Sequence, residues 1–379
     1  MGGSQMFCNL DKHRLEIQES DCELAVDDGK LPVDEAKSVN RREFIKGAAF
    51  GLIGTAVALN SFAAPMQLTR LADIKKKTST EKAAKVALIK GDERYSNVYA
   101  ALNMIKQDIK RGIGNKQVVI KPNFVVTNNQ LSATHVDCTT AILDVLKQIY
   151  DKQIIIAESP ADGPAARGFD NYGYQKLLKT YDVKFMELDD DEPSTLFILD
   201  KNLQPLPIQV SSMMMDADVY LISSAVMKTH DTVVTTLSLK NILMGAPLKI
   251  NGKHYKRDVH QGIKQINYTF FQMTPLMKPD LAIIDGFQGM EGNGPVGGTA
   301  VDTKVAIAST DFLAADRTAV EVMGIDFSKI GYLNYCADAN LGVADLSRVE
   351  VLGEKIANCK RKFKLHENIE QQYQWMDKI

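Results

Sequence analysis

Eight short apolar runs punctuate the chain, at 86–89, 118–120, 154–157, 183–186, 219–222, 281–284, 305–307 and 349–352. Each is rich in Val, Ile or Leu and too short for a helix, so each predicts a strand buried on both faces. Between them the spacing changes. Val98, Leu102, Ile105 and Ile109 recur every three or four residues, and Ile142, Val145, Leu146 and Ile149 mark one face of a later helix, with Asp137 and Thr139 as candidate caps. Strand, helix, strand in that rhythm predicts an α/β fold: a mostly parallel sheet with helices on both faces, as one large domain or two lobes. No internal repeat interrupts it.

The rhythm is missing before residue 86. Residues 1–40 carry nine acids against four bases with little apolar periodicity, which predicts a disordered acidic leader. Asn40-Arg41-Arg42-Glu43-Phe44-Ile45-Lys46 follows, then eighteen uncharged residues from 47 to 64. Residues 41–64 thus resemble a bacterial twin-arginine signal, with small residues at Ser61-Phe62-Ala63 for a peptidase. That resemblance implies the Tat export machinery as a partner and a periplasmic protein, or one anchored in the membrane by an uncleaved signal. Residues 65–85, with Lys75-Lys76-Lys77, read as a linker, 86–360 as the α/β domain, and 361–379 as a C-terminal tail or helix.

Composition narrows the chemistry. The net charge of −2 gives a phosphate backbone nothing to attract, so nucleic acid is not an expected partner. None of the five cysteines forms a C-x-x-C pair, which leaves no zinc knuckle and no iron–sulfur cluster within this chain, and no disulfide framework.

In open α/β sheets ligands sit beyond the carboxyl ends of the strands, and here those positions are chemically loaded. Ile120 runs into Lys121-Pro122-Asn123, Ala157 into Glu158, Ile222 into Ser223-Ser224 and then Lys228-Thr229-His230, and Ile284 into Asp285-Gly286. Together they would line one crevice with lysines, an imidazole, a carboxamide and carboxylates. A lysine beside apolar surface loses ammonium solvation and becomes available as a base or nucleophile, which makes Lys228 and Lys240 candidate catalytic groups. His230 could hold a metal or move a proton. The plainer alternatives are that Lys240 covers a Leu/Met-rich helix with its stem and that His230 is a hydrogen-bonded loop residue.

His254 and His260 lie in a basic segment, 252–260, that suits an anion or a metal or is simply a solvated loop; their six-residue interval does not put them on one helical face. With His230 they form the candidate metal set. His135 precedes a helix whose dipole favours an anion, or is a capping residue. The segment 285–299 contains Gly292, Gly294 and Gly297 in a G-x-G-x-x-G spacing, but Pro295 and the β-like run that follows exclude the helix a dinucleotide site needs. It remains a tight loop presenting Glu291 and Asn293.

Lys121-Pro122-Asn123, Thr134-His135, Lys228-Thr229-His230, Ser238-Leu239-Lys240-Asn241 with Met244-Gly245, and Gly289-Met290-Glu291-Gly292-Asn293-Gly294-Pro295 resemble, in order, the family called domain of unknown function three hundred and sixty-two. Some members carry a ferredoxin-type module whose cysteines this chain lacks, so an iron–sulfur cluster would belong to a partner protein. A more distant similarity is to nickel-pincer lactate racemases, which His230, Lys240 and Gly245 fit, although Glu158 stands where a racemase histidine is expected.

The combined expectation is an exported protein binding a divalent metal ion, or a metal-containing or anionic small molecule, with proton or hydride transfer on a small acid as its chemistry. Lys121, Asn123, His135, Glu158, Asn241, Glu291 and Asn293 form the expected cofactor-binding set. The alternative is a non-catalytic redox-accessory protein working with an iron–sulfur partner.

Overall fold

The computed structural model describes residues 83–377 apart from 203; the acidic leader and the twin-arginine segment lie outside the described residues. All eight apolar runs are strands. The sheet contains β1 (Ala84–Lys90), β2 (Gln117–Lys121), β3 (Ile154–Glu158), β4 (Val183–Glu187), β7 (Val219–Thr229), β8 (Thr235–Thr236), β11 (Leu281–Glu291), β12 (Thr299–Ser309) and β13 (Val349–Gly353). Two hairpins stand apart from it: β5 (Pro193–Leu199) with β6 (Pro205–Ser211), and β9 (Lys249–Ile250) with β10 (Lys253–His254).

The sheet has nine strands in the order β13-β1-β12-β11-β7-β2-β3-β4, with β8 folded back on β7. β11, β7, β2, β3 and β4 run parallel, as do β13 and β1, while β12 is antiparallel to both its neighbours. The central strands therefore release their carboxyl ends along one edge. β7 is longer than its apolar run because pairing with β8 and β11 carries it through Lys228-Thr229, so these residues lie in the strand and not in a loop after it.

Alternation along the strands divides the core. Val118, Ile120, Ile154, Ile156, Ile222 and Ile283 pack in one cluster with α1 (Arg94–Met104), α2 (Lys106–Ile113), α3 (Val136–Leu146) and α4 (Ala165–Asn171). The alternate residues Val119, Leu221, Ile284 and Ile307 are also buried, on the side where α5 (Ser238–Gly245) and α8 (Phe312–Val322) pack. α6 (Tyr255–Val259) and α7 (Ile263–Met273) lie between these in sequence. The four-three-four stripe from Val98 to Ile109 spans two helices, since the chain breaks at Ile105. The cap of α3 is His135, whose Nδ1 accepts the Asp137 N–H at 3.2 Å, as its capping alternative predicts; Asp137 and Thr139 lie inside the helix. Among the described residues there is one large sheet and no second lobe, and no helix is long and apolar enough to cross a membrane.

Candidate functional site

The carboxyl ends of β2, β3 and β7 meet α5 in a dry, charged network. Lys121 Nζ lies 2.6 Å from Glu158 Oε1 and also donates to Asn241 Oδ1 at 3.1 Å and to the Pro122 carbonyl. Asn241 returns its amide to the Lys121 carbonyl and to Ser223 Oγ, and Asn123 Nδ2 reaches Asn241 Oδ1 at 3.2 Å. Glu158 accepts the N–H groups of Phe124 and Ser159. Lys228, fully buried, donates to Asn123 Oδ1 at 2.7 Å and to the Ser132 carbonyl at 2.5 Å. Burial, with Lys240 and then Lys121 adding positive charge nearby, holds the Lys228 amine well below the usual lysine range. Every polar atom named here has a partner, so this network is a rigid floor and not a set of free ligands.

Lys240 differs. Its side chain rises from the same helix as Asn241 and is only 7 % exposed, yet its ammonium makes no hydrogen bond to any described residue. Burial, reinforced by Lys121 and opposed by Asp231, lowers its pKa to about 8. Beside it stand His230 and His260, with ring centroids 6.1 Å apart. Burial first and Lys240 second push both imidazoles down, His230 to about 3, so both are neutral near pH 7. His230 Nδ1 lies 3.0 Å from the Thr232 backbone nitrogen and 3.0 Å from Asp231 Oδ1, so Asp231 and Thr232 together hold the ring. The Thr232 hydroxyl donates to Asp231 Oδ1 and accepts from His260 Nε2 at 3.1 Å.

α5 is a fixed mount for Lys240. Asp316, on α8, accepts the backbone N–H groups of Ser238 and Leu239 and the Ser238 hydroxyl, capping the helix from another element. At the other end Lys256 Nζ donates to the carbonyls of Met244, Gly245 and Pro247. An anion at the amino end and a cation at the carboxyl end both complement the helix dipole. Burial nevertheless raises Asp316 to about 6 and lowers Lys256 to about 7. Gly245 is needed for a separate reason: a Cβ there would stand 1.7 Å from Lys121 Cε.

Of the expected metal set, His230 and His260 come together with Asp231, with one ligand atom from each lying within 4.8 Å of the others. His254 does not join them; its Nε2 lies 3.2 Å from the Ala161 carbonyl. Glu291 and Asn293 are engaged elsewhere. Glu291 accepts the Lys364 N–H, and Asn293 exchanges hydrogen bonds with Glu367, so both hold down the C-terminal segment. His135 lies away from Lys240, next to Arg94 and Asp285. Sequence reasoning missed Asp231, Thr232, Lys256 and Asp316. Asp231 was the most accessible of these, since it adjoins His230 in the chain.

A cavity of about 440 Å³ lies by Tyr220 and Asp280 at the amino ends of β7 and β11 and contains none of these residues. It is therefore remote from the charged network.

Comparison with known proteins gives the family but little more. The model of the family described as Domain of unknown function (DUF362) matches residues 118–321. The chain is 26% identical over 222 residues to the thylakoid-associated protein sll1697 of Synechocystis, covering 57% of this chain and 67% of that one. Among solved structures, the lactate racemase apoprotein of Thermoanaerobacterium thermosaccharolyticum aligns with a TM-score of 0.38 at 13% identity, over 65% of this chain and 58% of that one. A crystal structure of a Thermotoga maritima protein aligns with a TM-score of 0.36 at 12% identity, over 62% of this chain and 60% of that one. This chain thus spans less than two thirds of either solved structure.

Proposed function

The chain belongs to the DUF362 family, and from that premise we propose that it binds a small oxyanion, a carboxylate or phosphate compound, in the crevice above the Lys121–Glu158 floor. One observation carries the reading: Lys240 is only 7 % exposed, and its ammonium has the Asp231 charge nearby but no hydrogen-bond partner among the described residues. Desolvating an ammonium without a hydrogen-bonded counter-ion is costly. An oxyanion offsets that cost by accepting its N–H donors. His230 lies beside Lys240, and His260, more exposed than His230, is suited to proton transfer on a bound acid.

A divalent cation at His230, Asp231 and His260 is the second reading, favoured by the convergence of those three side chains. Two features weigh against it. Thr232 already uses His230 Nδ1 and bridges Asp231 to His260, so a cation must break those bonds. Lys240, while protonated, also repels it. The Glu158 carboxylate, where a racemase histidine is expected, is occupied by Lys121 and two backbone N–H groups and is not a free base.

Calorimetric titration with phosphate, malonate and zinc separates the readings. Phosphate or malonate should bind the wild type and fail to bind Lys240→Met. Zinc binding abolished by His260→Ala, with neither anion bound, would replace the anion reading by the cation one.

A further inference from the structure

A second polar cavity, about 230 Å³, opens on the face of the sheet covered by α1 and α3, between Arg94, His135, Asp285 and Gln288. Its chemistry is independent of Lys240. Arg94 begins α1 and is largely buried, with its guanidinium 5.0 Å from the Phe287 ring centroid and its Nε 2.9 Å from Asp285 Oδ2. That ion pair engages Nε with Asp285, though with poor hydrogen-bond alignment, and leaves the two terminal nitrogens of the guanidinium facing the cavity. The terminal N–H groups of the guanidinium have no hydrogen bond to a described residue and lie at the cavity wall. Asp285, only 2 % exposed, is itself held by the Phe287 N–H, so it and the Phe287 ring fix the plane of the guanidinium.

His135 completes the wall. Its Nδ1 accepts the Asp137 N–H, which leaves Nε2–H as a donor with no partner among the described residues. A planar guanidinium fork and an imidazole N–H around a small cavity match the two oxygens of one carboxylate. The volume is below that of a drug-sized site and fits a short-chain acid. We propose that this cavity is a binding site for a short-chain monocarboxylate, with Arg94 and His135 as its donors and Asp285 as a positioning residue.

The site also predicts a proton linkage. His135 faces Arg94 from α1, Asp285 from β11, Asp137 on its own helix and Lys176. In the free protein burial and then Arg94 lower its pKa, while Asp137 and Asp285 oppose them. A bound carboxylate adds negative charge beside the ring and raises that pKa, so binding near neutral pH takes up a fraction of a proton.

The test uses the full chain and acetate or propionate, titrated calorimetrically in two buffers of different ionisation enthalpy. Binding should survive in Lys240→Met, separating this cavity from the crevice proposed above, and weaken at least tenfold in Arg94→Lys and in His135→Asn. Proton uptake should be present in the wild type and absent in His135→Asn. Because Arg94→Lys disturbs a buried ion pair, His135→Asn keeps the test decisive if the arginine variant does not fold. Absence of acetate and propionate binding in the wild type, or binding in both variants as tight as in the wild type, overturns the proposal.

Discussion

At the scale of single residues, the site separates groups that are spent from one that is not. Lys121 and Glu158 form an ion pair with each side chain 2% exposed. Removing one partner leaves the other charged and dry, so Lys121→Met should cost about 3–5 kcal/mol in chemical denaturation. The double variant Lys121→Met with Glu158→Leu should recover much of that loss, which a simple packing defect would not. Lys240 predicts the opposite sign. Its folded-state pKa lies below its unfolded value, so the unfolded chain binds more protons between about pH 8 and the ordinary lysine range, and stability rises with pH across that window. Below it the full cost remains, on the order of 3 kcal/mol. Lys240→Met should therefore raise the melting temperature at pH 7 by a few degrees and flatten the rise above pH 8. A lower melting temperature would show that the lysine stem packs more than its charge costs.

At the scale of elements, α5 is the piece on which the site depends. Asp316 and Lys256 pin its ends, and Gly245 leaves space for Lys121. Gly245→Ala forces the Lys121 chain aside and should destabilise by about 1–3 kcal/mol, as overpacking does, a change readable by denaturant titration. Lys256→Met leaves three carbonyls near the end of α5 without their ammonium, and should weaken anion binding through displacement of Lys240 even though Lys256 contacts no ligand. Unchanged binding would show that the helix end is dispensable.

The strands were legible in the sequence because both faces of the sheet are covered, which makes continuous apolar runs. The β5–β6 hairpin was not, since it alternates weakly, contains Pro193, Pro205 and Pro207, and leaves Phe197 half exposed. The positions of Lys121, Glu158 and Lys228 at strand ends were equally readable. Their pairing was not, because it is made by groups distant in the chain: Asp316 reaches Ser238 across 78 residues, and Lys121 reaches Asn241 across 120.

At the scale of the whole molecule, a mostly parallel sheet gathers the carboxyl ends of β2, β3 and β7 around α5, with Lys240, His230 and His260 close together, the end of an open α/β sheet where ligands sit. We further propose export by the twin-arginine route, on the strength of Arg41 and Arg42. Replacing both by Lys should retain the protein in the cytoplasm with its melting temperature unchanged; unimpaired export in cell fractionation would reject that route.

The central claim, an oxyanion seated on Lys240, is tested most directly by the ionisation of that lysine. With ¹³C-labelled lysine, the Lys240 Cε resonance, assigned by its loss in Lys240→Met, can be titrated with and without phosphate or malonate. The account predicts a pKa near 8 in the free protein that rises when either anion is added, because the bound charge stabilises the ammonium. A titration that neither anion moves would contradict it.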